Sequence, residues 1–188
     1  MRIIENDVLK VAIADHGAEL SSVLDKETDI ERMWDANPEI WNRHAPILFP
    51  FVGKVIGGVY RIGEKEYTMK TQHGFARDKE FECVAATQYF VTHRLVSTEE
   101  TKEIYPYDFE LLATHSLDAE NPRVLRIDWE VKNTGNEKMF YSIGGHPGFM
   151  IPEGEKKEDY YLEFRGRDDL KYVSVNLDTG FIAADKEY

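Results

Sequence analysis

Val124-Leu125-Arg126-Ile127-Asp128-Trp129-Glu130-Val131 alternates apolar and charged side chains without a break from Leu125 onward. A period of two is the signature of a β-strand with one buried and one wet face. Working back along the chain, Phe109–Leu117 repeats the pattern, with Phe109, Leu111, Ala113 and Leu117 on one face and His115 among them. Tyr89–Val96 does the same through Tyr89, Val91 and Leu95. Forward of the first stretch, Asn133-Thr134-Gly135-Asn136 is a turn signal before Met139–Ile143, which predicts a hairpin. Gly63-Glu64-Lys65 plays the same part between Val59–Ile62 and Glu66–Met69. Short strands at this spacing, with no helical pattern of ten or more residues between them, predict an all-β fold, an antiparallel β-sandwich or barrel. The exceptions are Asn37–Trp41, read as a short helix or irregular excursion, and Glu153–Asp159, a charge run read as an exposed loop.

The chain has 188 residues, enough for one core, and is read as a single domain over 1–188. Its 35 acidic and 23 basic residues give a formal charge of -12, which repels a phosphate backbone and argues against nucleic acid as a partner. Charges interrupt the N-terminal apolar residues where a secretory signal needs an unbroken run. No stretch approaches the ~20 apolar residues of a membrane helix. One cysteine, Cys83, allows no internal disulfide and reads as a small core residue in a strand. These features predict a cytoplasmic protein with no membrane partner.

Four segments break the strand pattern. Pro46-Ile47-Leu48-Phe49-Pro50-Phe51-Val52-Gly53-Lys54 carries two prolines that each remove a ladder donor, so it reads as a buried connector leading to a cation, Lys54. His73-Gly74-Phe75-Ala76-Arg77-Asp78 places an imidazole and a guanidinium in one loop, either as donors to a ligand or as a packed histidine beside an Arg77–Asp78 pair. Tyr105-Pro106-Tyr107-Asp108-Phe109 is an aromatic entrance to a strand, read first as a hydrophobic corner. In Gly144-Gly145-His146-Pro147-Gly148-Phe149, three glycines and a proline surround one histidine. Glycine frees the backbone and Pro147 holds His146 extended, so the imidazole is suited to acid–base work or merely sits in a tight turn. His16 and His93 have no partner motif, and His115 on an apolar face reads as a hydrogen-bonded core histidine. The six histidines form no metal-binding spacing, and no phosphate loop, dinucleotide glycine signature or serine elbow occurs.

Taken in order, these four segments resemble the aldose 1-epimerase (galactose mutarotase) family, and in particular its LacX-like bacterial branch. The resemblance implies a large antiparallel β-sandwich, the galactose mutarotase-like supersandwich, whose concave face holds an aldose of the glucose or galactose type. It implies that His146 is the general acid toward the ring oxygen and that His73 binds and polarises the same region. Lys54 and Arg77 are then the substrate-binding cations. Related sequences usually carry arginine at the place of Lys54, so the charge is kept but the bidentate fork is not. Ring opening by an acid and a base requires no metal or organic cofactor.

The family's general base is a glutamate near the C-terminus, and no glutamate here sits in a matching motif. Glu187, beyond the turn read at Leu177-Asp178-Thr179-Gly180, is not assigned that role. The expectation is therefore that residues 1–188 are the N-terminal and central part of a mutarotase-like isomerase, with the base beyond residue 188. Two further readings stand beside it: a non-catalytic carbohydrate-binding module, and a fragment completed by a partner chain.

Overall fold

In a computed structural model, the structure describes residues 1–167, 170, 173–176, 179 and 181–187. Two antiparallel meanders dominate it. β1 (Arg2–Glu5), β2 (Leu9–Ile13), β3 (Leu20–Asp25) and β4 (Ile30–Glu31) lie side by side in chain order. Next come β5 (Ile47–Leu48) and a hairpin of β6 (Val59–Ile62) and β7 (Lys65–Thr68), which turns at Gly63 with φ 59°. The second meander is β8 (Glu82–Ala86), β9 (Phe90–Val96), β10 (Phe109–Leu117) and β11 (Leu125–Asn133), with one helix, α1 (Glu99–Ile104), between β9 and β10. β12 (Gly144–Gly145) returns to pair with β5, and β13 (Val173–Val175) pairs with β14 (Ile182–Glu187).

β10 shows the predicted alternation in full: Phe109, Leu111, Ala113, His115 and Leu117 are buried and the residues between them are not. On β9, Val91, His93 and Leu95 form the neighbouring buried row, while Tyr89, expected there, is 53% exposed just outside the strand. This face is covered in two halves. Ile4, Leu9, Val11, Ile13 and Leu20 of the first meander pack on Val91 and Leu117. Ile47, Phe49, Phe75 and Phe81 pack with Phe109, Leu111 and Ala113. The antiparallel sandwich is thus formed by the first meander and the β5 region lying on the second.

Two expectations are corrected. β11 was to have one buried face, yet Ile127 is 40% exposed and Leu125, Trp129 and Val131 are only half-buried. β11 ends its sheet, paired with β10 alone among the described residues, and its apolar row extends past the elements that cover β10. Met139–Ile143 does not fold back on β11. It crosses to the proline segment, where Ser142 N donates to Pro50 O. The prolines lack donors, but their carbonyls serve as acceptors along this border. α1 is six residues long, within the expectation of no helical pattern of ten or more, and its Thr98 and Thr101 close a reciprocal capping box that the sequence carries as Thr-Glu-Glu-Thr. Asn37–Trp41 is a single turn closed by Asn37 O, Glu153–Asp159 is exposed, and Cys83 is half-buried against the first-meander core. Leu177, Asp178 and Gly180 of the expected turn, and the side chain of Glu187, lie outside the described residues.

His93 does have a partner. Its Nε2 lies 3.0 Å from Asp15 Oδ1, a carboxylate that also accepts from Arg2 and the N-terminus, so an ionic knot ties the two meanders together. His16 likewise meets Glu80 at 2.7 Å. His115 has no such carboxylate among the described residues: it is 1% exposed and its Nδ1, like that of His93, has no hydrogen-bond partner there. Burial holds its pKa down to about 4. An unfolded histidine titrates near ~6.5, so the unfolded chain takes up a proton that the fold refuses. Stability present above pH ~6.5 is therefore lost as pH falls toward ~4, by up to about 3 kcal/mol. Urea midpoints measured between pH 7 and 4.5 read this loss, and His115→Gln is expected to reduce it.

Candidate functional site

The proline segment and the glycine-rich segment build the site by running antiparallel. Leu48 pairs with Gly144 and Ile47 with Gly145, then His146 N donates to Pro46 O at 3.2 Å and Gly148 N to His44 O at 2.8 Å. Beyond them Trp34 N donates to Gly148 O. Small residues are required here. A Cβ on Gly145 would stand 3.0 Å from the Trp129 ring, and one on Gly148 2.8 Å from Trp41. This ladder fixes His146 on the rim, with its exposed imidazole 5.2 Å from the Trp41 ring, centroid to centroid.

His73 reaches the same place from another loop. Its backbone is left-handed (φ 67°), unfavourable for a residue with a Cβ, and two bonds hold it there. His73 N donates to Gly53 O at 2.7 Å, and Gly53 N donates back to His73 Nδ1 at 2.9 Å. An Nδ1 that accepts cannot carry the ring proton, so the neutral imidazole bears it on Nε2. Gln72 Nε2 stands 3.0 Å from that nitrogen, and because two N–H groups cannot bond one another the amide is assigned with its oxygen inward. Burial, followed by the charge of Arg77 and by His146, lowers the His73 pKa, favouring this neutral donor form. The two rings stand 5.7 Å apart, centroid to centroid. Residues 73 positions apart in sequence are thus brought together.

Arg77 follows on a 3-10 turn, Ala76–Asp78, with its side chain 19% exposed. Asp78 is a loose partner at 3.8 Å, because its Oδ1 is taken by Arg43. Arg77 Nε is buried without a hydrogen-bond partner among the described residues. Burial and then the neighbouring Arg43 lower the Arg77 pKa against the opposing pull of Asp78 and Glu19. Lys54 is brought less close: it is exposed and its Nζ lies 6.0 Å from the Phe181 ring centroid, with no contact to either histidine among the described residues. Tyr105 and Tyr107 are buried and Asp108 pairs with Lys102 at 2.6 Å, so the Tyr105-Pro106-Tyr107-Asp108-Phe109 segment is the hydrophobic corner of the first reading.

Several contributors escaped the sequence reading. Glu19 is 7% exposed and its Oε1 accepts from the backbone of His44 and Ala45, anchoring the start of the proline segment. His44 Nδ1 donates to Trp34 O at 2.6 Å. Trp34 Nε1 in turn bonds to Trp41 O, which holds the tryptophan that flanks His146. Trp129 completes the wall behind Gly145. None of these stands in a short motif.

The sequence profile of the family described as aldose 1-epimerase matches residues 2–187, and the chain belongs to that family. It is 38% identical over 168 residues to the plasmid LacX protein of Lactococcus lactis subsp. lactis, an alignment covering 86% of this chain and 55% of that protein. The galactose mutarotase related enzyme from Lactobacillus acidophilus superposes with a TM-score of 0.88 at 40% identity, covering 100% of this chain and 61% of that one. A galactose mutarotase-like protein from Lactobacillus casei gives 0.77 at 38% identity, over 81% and 50%. The chain spans about half the length of the curated relatives it matches.

Proposed function

We propose that the protein is a mutarotase-like isomerase that interconverts the α and β anomers of a hexose of the glucose or galactose type. The observation that carries this reading is the 5.7 Å approach of His73 and His146 across two separate loops. His146 is the general acid at the ring oxygen. His73, held as an Nε2–H donor, exchanges the Gln72 amide for the same oxygen and stabilises the charge that develops on it. Arg77 and Lys54 bind hydroxyls.

In the forward direction a base removes the anomeric hydroxyl proton and the C1–O5 bond breaks. His146 delivers its proton to O5, which leaves an open-chain aldehyde. Rotation about C1–C2 and reclosure, with acid and base exchanging roles, give the other anomer. The base is the glutamate expected beyond residue 188.

Two measurements test this reading. Galactose titrated into the 188-residue chain is expected to shift the ring resonances of His73 and His146 in NMR spectra. The full-length protein is expected to speed the optical-rotation change of freshly dissolved α-D-galactose above its spontaneous rate. Ring shifts without any acceleration mean a carbohydrate-binding module instead, and no shifts at all remove the sugar site.

A further inference from the structure

Two guanidiniums, Arg43 and Arg77, and two carboxylates, Glu19 and Asp78, meet where three loops come together. The charges balance, but the pairing is uneven. Arg43 Nη2 donates to Asp78 Oδ1, and Arg43 Nη1 donates to Arg77 O at 3.0 Å. Arg43 thus grips one turn twice, at the carbonyl of residue 77 and at the carboxylate that follows it. Arg77, with its side chain 19% exposed, is left with Asp78 Oδ2 at 3.8 Å from its Nε. That is its one carboxylate within 4.0 Å among the described residues, and it stands outside hydrogen-bond range.

Arg43 is itself held in place. Glu19, 7% exposed, accepts from His44 N at 2.6 Å and Ala45 N at 2.9 Å, which fixes the chain directly after Arg43. Its Oε2 lies 4.0 Å from Arg43 Nη1. Gly17 presses the same loop onto the turn: a Cβ there would stand 2.8 Å from Arg77 O, the oxygen that Arg43 bonds.

We propose that Arg43 is a positioning residue for sugar affinity: it holds Asp78 away from Arg77 and so keeps that guanidinium open to substrate hydroxyls. The inference rests on the mutarotase reading, in which Arg77 binds those hydroxyls. Asp78 is then an internal competitor. It adjoins Arg77 on one 3-10 turn, and its carboxylate has only to close from 3.8 Å to ~3 Å to bond the guanidinium. A carboxylate makes a stronger bond to a guanidinium than a neutral hydroxyl does, so a sugar displaces Asp78 only with loss of affinity.

The test measures KM and kcat for D-galactose mutarotation by the full-length protein and its variants. Arg43→Gln is expected to raise KM at least about fivefold with kcat within about twofold, since neither histidine is touched. Asp78→Asn removes the competitor and is expected to leave KM unchanged or lower. Combining the two is expected to return KM to within about twofold of the unaltered protein. Arg77→Met is the reference and is expected to raise KM whether or not Asp78 is also changed. An ion pair that merely braces the loop predicts something else: equal losses from Arg43→Gln and Asp78→Asn, and no recovery when they are combined. That pattern would overturn the proposal, as would a fall in kcat at constant KM in Arg43→Gln. Arg43→Lys is milder and keeps a cation for Asp78, so KM is expected to stay within about twofold. A KM raised in Arg43→Lys as far as in Arg77→Met would contradict the proposal even if Arg43→Gln folds poorly. An unchanged KM in Arg77→Met removes the role of Arg77 and the proposal with it, while the mutarotase reading stands. Absence of acceleration by the unaltered protein removes all three.

Discussion

His146→Asn is expected to lower kcat for mutarotation in the full-length protein by ~10²–10⁴-fold, the usual contribution of a positioned general acid. Asparagine fills much of the same space and still donates a hydrogen bond, but it has no proton to surrender to the ring oxygen. The backbone of residue 146 donates to Pro46 O whatever its side chain, so the ladder that forms the rim is retained. Sugar affinity is expected to change far less than turnover, since Arg77, Lys54 and His73 remain. A KM that rises with kcat intact would instead make His146 a binding residue. Steady-state polarimetry on the two proteins reads the difference.

The second large effect is on stability. Gly74→Ala is expected to cost about 3–5 kcal/mol, near the upper end for a single substitution. Gly74 has φ 72°, where a residue with a Cβ loses roughly 1–2 kcal/mol. Its added methyl would also stand 2.2 Å from Phe49 O, a backbone atom that cannot swing aside. That carbonyl accepts from both Phe75 N and Ala76 N, and separating the strands to relieve the clash weakens two buried bonds worth about 1 kcal/mol each. Gly63→Ala provides the control. Its φ is 59° but nothing lies within 4 Å of the new methyl, so only the ~1–2 kcal/mol conformational cost is expected. Urea midpoints of the two variants separate strain from collision, and equal losses would show that the close approach at Phe49 is unimportant. His73 is the neighbour of Gly74, so the first variant is also expected to weaken sugar binding.

What the sequence made legible follows from how local the cause is. The alternation in Phe109–Leu117 reports a face covered on one side along its whole length, and the buried pattern of β10 matches it residue for residue. The same alternation in β11 says nothing about what covers the face, which is why Ile127 emerges exposed. Met139–Ile143 misled because a turn signal specifies a reversal and not the strand that receives the chain. His73 and His146 were found through the glycines beside them, since Gly74 and Gly145 mark backbones that approach Phe49 and Trp129 too closely for a side chain. Glu19, His44 and Trp41 were missed because their roles are bonds and ring contacts between loops far apart in sequence, and no spacing rule encodes those. His115 was read as a satisfied core histidine. It is buried as expected, but its Nδ1 has no hydrogen-bond partner among the described residues, which an apolar face in the sequence does not report.

Anomer exchange by NMR bears most directly on the function assigned to the two histidines. With galactose at equilibrium and the full-length protein present, magnetisation placed on the α-anomer proton is predicted to reach the β-anomer faster than in buffer. With His146→Asn it is predicted to return to the spontaneous rate while the sugar still binds. Exchange at the spontaneous rate with the unaltered protein, under conditions where galactose is bound, would contradict the assignment.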